Sequence, residues 1–101
     1  MDRVEKALNL LGLAKRAGKL VLGTDAVDLA LRGSGISAVV LAEDLSAVSG
    51  SRFERLAREK GILVLRFATK EAFGRAFARR DLGVIGLLDA GLAAAIQKAL
   101  S

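Results

Sequence analysis

The apolar positions follow two alternating rhythms. Over residues 4–17, Val4, Ala7, Leu8, Leu11 and Ala14 recur at three- and four-residue spacing, which is one face of a helix. Leu10 and Leu13 widen that stripe, so the helix is expected to be covered on more than one side. Lys15 and Arg16 fall in its last turn, where cations complement the helix dipole, and Gly18 is a natural stop. Lys19–Leu22 then reads as a short strand and Gly23 as a tight turn. A second helix opens at Thr24 or Asp25, turns Val27, Ala30 and Leu31 inward, and ends at Arg32 before a Gly-Ser-Gly loop. Ile36–Ala42 (ISAVVLA) is nearly continuous in apolar residues, as a strand covered on both faces requires.

The same alternation continues to the end of the chain. Residues 43–51 are rich in capping side chains, and Ser49 or Ser51 is expected to start a third helix running to Lys60. Its Phe53, Leu56 and Ala57 point inward, while Glu54 with Arg58 and Arg55 with Glu59 stand one turn apart outside. Ile62–Phe67 is a third strand. Thr69 caps a short fourth helix to about Ala78, with Phe73 and Phe77 inward, and ARRDLG at 78–83 turns into a last strand at Val84–Leu88. Asp89 caps a final helix whose Leu92, Ala95, Ile96 and Ala99 face the sheet. The order αβαβαβαβα implies an α/β protein: a three-layer α/β/α sandwich around a four-stranded sheet, formed as a single domain over residues 1–101.

Composition narrows the function. Hydrophobic residues make up 52% of the 101, enough for a core, yet no apolar run approaches a membrane span. Charges within the first turns and the lack of a small-residue cleavage site argue against a signal peptide. Cysteine is absent, which excludes disulfides and thiol chemistry and suits a cytoplasmic location. Histidine is absent too, removing the usual general base and the commonest metal ligand. Sixteen Lys and Arg against eleven Asp and Glu leave a net charge of +5, which points to a polyanionic partner.

Two kinds of candidate chemistry remain. Asp25, Asp44 and Asp89 each follow a strand, and a carboxylate cluster at a sheet edge could hold Mg²⁺ or accept a phosphoryl group. Capping of the following helix explains each acid separately, and one antiparallel strand would part them. No catalytic residue, metal or cofactor is therefore expected. The second kind is anion binding. The start of the helix after Gly23 offers amide donors at Thr24, Asp25 and Ala26 and the positive end of a helix dipole. Lys19, Arg32, Arg66, Arg75, Arg79 and Arg80 are the cations outside the ion-paired third helix, and Arg32 and Arg75 read as a solvated face. Arg79 and Arg80 differ, because they share a turn with Leu82, expected to be exposed. Such a turn can grip a phosphate and cover an unstacked base. No strand alternates aromatic residues with arginine, so base stacking on a sheet is not the binding mode.

Four stretches carry a family resemblance: LLGLAKRAGKLVLG at 10–23, VVLAED at 39–44, EKGILVLRF at 59–67 and TKEAFGRAF at 69–77. They resemble the L-seven-Ae and L-thirty-e superfamily of kink-turn RNA binders, most of all its small bacterial YlxQ-like branch, and the resemblance covers essentially the whole chain. It implies a non-catalytic RNA-binding protein, a monomer, tied to ribosomes or RNA processing, with rRNA or another kinked RNA as partner. In that family the turn after the first strand docks in a widened RNA groove, and a later loop covers an extruded nucleotide. The resemblance thus implicates Gly18, Lys19, Gly23, Thr24, Asp25, Ala26, Arg79, Arg80 and Leu82. Where the RNA-reading signature has Asn, Glu and Lys, this chain has Asp25, Ala26 and Leu29. An ionised Asp can only accept hydrogen bonds, and Leu29 removes a cation from the base edges. The alternative is a protein-interaction module of the same fold, with Leu29 on the outer side of its helix.

Overall fold

The computed structural model describes residues 2–101. Five helices alternate with four strands: α1 (Arg3–Arg16), β1 (Leu20–Leu22), α2 (Thr24–Arg32), β2 (Ala38–Leu41), α3 (Ala47–Glu59), β3 (Leu63–Arg66), α4 (Lys70–Phe77), β4 (Val84–Leu87) and α5 (Ala90–Leu100). The order is the one the hydrophobic pattern predicts. Four of the five helix starts are set by side-chain caps. Asp2 accepts from the Glu5 amide at 2.8 Å, Thr69 from Ala72 at 3.1 Å and Asp89 from Leu92 at 3.1 Å. The Glu5 amide holds the Asp2 carboxyl below its ordinary pKa. This cap therefore supports folding above the carboxyl's unfolded pKa, and the support is lost as the pH falls through the lowered value.

Two local expectations change. The third helix starts at Ala47, because Ser46 rather than Ser49 or Ser51 is its cap, accepting from the Ser49 amide at 3.2 Å. Neither expected pair forms along the helix: Arg55 and Glu59 make no ion pair with each other, and Glu54 reaches not Arg58 but Arg66 on β3, at 3.0 Å. Gly50 makes this possible, since the Arg66 guanidinium occupies the space a β-carbon there would need, at 2.7 Å.

The sheet has the order β1-β4-β2-β3, with β2 and β3 parallel and β4 antiparallel to both of its neighbours. Hence β1, β2 and β3 run one way and β4 the other. Three strands finish and one begins at the same end of the sheet, here termed the front, and the reverse holds at the rear. Period-two alternation splits the central strands between two cores. Ala38, Val40, Ile85 and Leu87 join Ala7, Leu11 and Ala14 of α1, Phe73 and Phe77 of α4, and Ala93 and Ile96 of α5. Val39, Leu41 and Val84 join Val27 and Leu31 of α2 and Phe53 and Ala57 of α3. Helices thus cover both faces, which is the expected three-layer sandwich. On α5 the fully buried residues are Ala93 and Ile96, with Leu92 and Ala95 only half-buried, because the helix also lies along α1.

Because β3 leaves and β4 begins at the front, α4 and the 78–83 loop both lie there. The loop is tied down at its start. The Arg79 amide donates to the Gly74 carbonyl at 2.9 Å, and a β-carbon at Gly74 would stand 2.3 Å from the Arg79 carbonyl oxygen. Gly74→Ala is therefore expected to cost about 2 kcal/mol in spite of alanine's better helix propensity. A urea titration checks this, and a variant as stable as the parent would contradict this loop placement.

Candidate nucleic-acid interface

Construction of the site begins with backbone. Gly23 continues the β1 ladder, its amide donating to the Val84 carbonyl at 2.9 Å, and then turns with φ of 96°, a conformation that disfavours any side chain. It is itself the cap of α2, and no side chain closes that helix end. Val27 is the first residue whose amide enters the helical ladder, donating to Gly23 at 3.0 Å. The amides of Thr24, Asp25 and Ala26 precede it at the positive end of α2, with Thr24 and Asp25 exposed and Ala26 half-buried.

The neighbouring front-end loops are laced together by main-chain bonds. Ala42 donates to the Gly83 carbonyl at 2.9 Å, and Glu43 to the Ala68 carbonyl at 2.8 Å. Asp44 accepts from the Lys70 amide at 2.9 Å, joining the β2–α3 loop to the start of α4. Beyond α4, Ala78 and Asp81 hold left-handed backbone, with φ of 55° and 47°. Leu82 then plunges into the core, 2% exposed. Pinned at both ends, the segment between presents Arg79 and Arg80 to solvent.

Arg79 lies across from the start of α2: its Nη1 is 3.9 Å from where a Gly23 β-carbon would stand. Neither Arg79 nor Arg80 has a carboxylate within salt-bridge distance among the described residues, whereas Arg32, Arg52, Arg66 and Arg75 all do. Lys70 belongs to the same end, its stem running 3.4 Å from the position a Gly83 β-carbon would take. Lys70 is not among the cations the sequence singles out, because it stands simply as the first residue of a helix. What places it here is topology: Lys70 follows β3, which runs the same way as β1 and so finishes at the same end of the sheet as Gly23. Together Asp44, Lys70, Gly74, Ala78, Arg79 and Asp81 border an open cleft of about 780 Å³. Cations here can meet phosphates, while the exposed carboxylates of Asp25 and Asp81 offer acceptors to base amino groups.

Several expected members are placed elsewhere. Leu82 is not exposed: it is the loop's anchor in the core, so it cannot cover a base. Gly18 and Lys19 lie at the rear, where the Lys19 carbonyl accepts from Leu88 at 2.9 Å, a whole strand length from Gly23. The three acids divide as one antiparallel strand requires, with Asp25 and Asp44 at the front and Asp89 at the rear. Only Asp89 caps the helix that follows it. Asp44 serves α4, and the α2 end carries no side-chain cap, so Thr24 and Asp25 do not close it.

Comparison with known proteins agrees with this architecture. The chain is similar over 94% of its length, and 96% of the other's, to a solved structure described as a protein with unknown function from Bacillus halodurans C, with a TM-score of 0.86 and 28% sequence identity. No curated protein matches the chain. The model of the ribosomal protein L7Ae/L30e/S12e/Gadd45 family matches residues 5–94, from the first turn of α1 into α5. The chain therefore belongs to that family, and membership implies an RNA-binding, ribonucleoprotein-type function.

Proposed function

We propose that the chain is a non-catalytic RNA-binding protein whose front end clamps a bent or bulged RNA helix, working as a single cytoplasmic domain within a ribosomal or RNA-processing assembly. The observation that carries this reading is the Arg79 guanidinium facing the uncapped start of α2 with no carboxylate partner. Positive charge and free amide donors converge there from segments more than fifty residues apart, at a position where phosphate is the fitting ligand. Thr24 and the amides of residues 24–26 hold a phosphate or base edge, and Lys70, Arg79 and Arg80 neutralise the flanking backbone. Asp25 takes the place of a family asparagine and accepts from base amino groups only, so the preferred base pattern differs from that of the Asn, Glu, Lys signature.

Fluorescence anisotropy with a labelled RNA hairpin carrying an internal bulge tests the proposal. Affinity should fall with salt at a slope near −0.9 per engaged phosphate. Arg79→Ala and Arg80→Ala should each weaken binding across sequences and flatten that slope by roughly one. Binding that is indifferent to salt would reject the clamp.

A second reading has its own support in Leu29, which is 69% exposed on α2 where the family signature has a lysine. On this reading the fold has lost RNA readout and docks a protein. Combining Asp25→Asn, Ala26→Glu and Leu29→Lys distinguishes the two. Under the RNA reading the triple variant gains about tenfold or more on a kink-turn RNA, in line with restored polar contacts to base edges. No gain favours the protein partner.

A further inference from the structure

The most exposed large apolar side chain among the described residues is Val48, at 83%, on the first turn of α3. Nothing in the fold calls for valine there, since the buried face of α3 is made by Gly50, Phe53 and Ala57. Its position is informative. Helices α2 and α3 both start at the front and run the same way, because each follows a strand antiparallel to β4. They are bridged by Asp28 and Arg52 at 2.8 Å. One turn back from that bridge on each helix stand Thr24 and Val48, so the exposed valine lies on the neighbouring helix at the same end as the α2 start.

Val48 also lines a shallow depression together with Ala47, Ser51, Arg52 and Arg55. Arg52 is held by Asp28, whereas Arg55 is exposed and has no carboxylate within salt-bridge distance among the described residues. A projecting apolar side chain with an unpaired arginine two turns along the same helix matches a nucleotide, whose base or ribose meets the valine while its phosphate meets the guanidinium. Resting on the RNA reading above, we infer that the outer face of α3 extends the RNA footprint: a single-stranded segment leaving the α2 start crosses Val48 and is held at Arg55. Charge argues for RNA rather than a protein occupant. The depression carries two arginines and no acid on its border; Asp28 is committed to Arg52, and Glu54, beside Arg55 in the chain, is committed to Arg66.

The test compares one bulged RNA hairpin with the same hairpin bearing a short unpaired 5′ or 3′ extension. Wild-type protein should bind one of the extended forms about three- to tenfold more tightly, the scale of one added phosphate and base contact. Val48→Ser and Arg55→Gln should each remove most of that gain and leave the plain hairpin unchanged. Arg55→Gln should also lower the salt slope by about one on the extended RNA only. Both positions are exposed, so neither variant endangers the core. If neither extension adds affinity, or the variants keep the gain, the α3 contact is refuted while the clamp stands. If the wild type binds none of these RNAs, both readings fall, and α3 is left as a surface for a protein.

Discussion

Two hydrogen bonds at the beginning of β4 decide where everything else at the front of the molecule lies. Gly23 donates to Val84 and Ala42 donates to Gly83, so the ends of β1 and β2 are fastened to neighbouring carbonyls of one short segment. That segment leads directly out of the basic loop. Because Leu82 is anchored in the core just before it, the loop cannot swing away, and Arg79 is delivered to Gly23 by covalent proximity. The cation lies close to the positive end of a helix, an arrangement unfavourable in itself. Held there without a carboxylate partner, the exposed guanidinium leaves its positive charge open to solvent. The structural and the functional roles of β4 are thus one fact seen from two sides.

Charge is distributed by the same logic. Arg32, Arg66 and Arg75 are matched to Asp28, Glu54 and Glu71, and exposed pairs of this kind contribute little to stability. Their value lies in leaving a smaller set of cations unmatched. A net charge of +5 is spread over the whole surface, yet Lys70, Arg79 and Arg80 share one end with the uncapped helix. The backbone around them is also under local tension. Ala68, Ala78 and Asp81 are the described non-glycine residues with left-handed backbone, and all three lie in the front-end loops. Such conformations cost of order 1 kcal/mol or more each and concentrate where geometry outranks stability.

Much of this was legible in the amino-acid sequence, for definable reasons. Element order and both cores follow from periodicity, because Val39 and Val40 must face opposite sides of a buried strand and Leu11 must face inward with Ala7 and Ala14. Thr69 and Asp89 announce their helices through capping chemistry that acts within three residues. What escaped is non-local. Whether Lys19 sits beside Gly23 depends on which end of β1 each occupies, and a short strand was enough to part them. Leu82 looked exposed because a basic turn surrounds it, and only the position of β4 reveals the core beneath. Asp44 and Glu54 both find partners on other elements, across distances that no local spacing rule addresses.

Strand order also bears on how the chain reaches its native state. The second strand pairs with the third along four residues of parallel register, while the first has a single neighbour more than sixty positions away. During synthesis, β1 must wait without a ladder until the fourth strand has been made, and only then can the sheet be completed. Long-range closures of this kind slow folding and leave an unsatisfied edge exposed in the meantime. The same late-arriving strand fastens the front end, so a nascent chain would bring the basic loop to Gly23 only near the end of assembly.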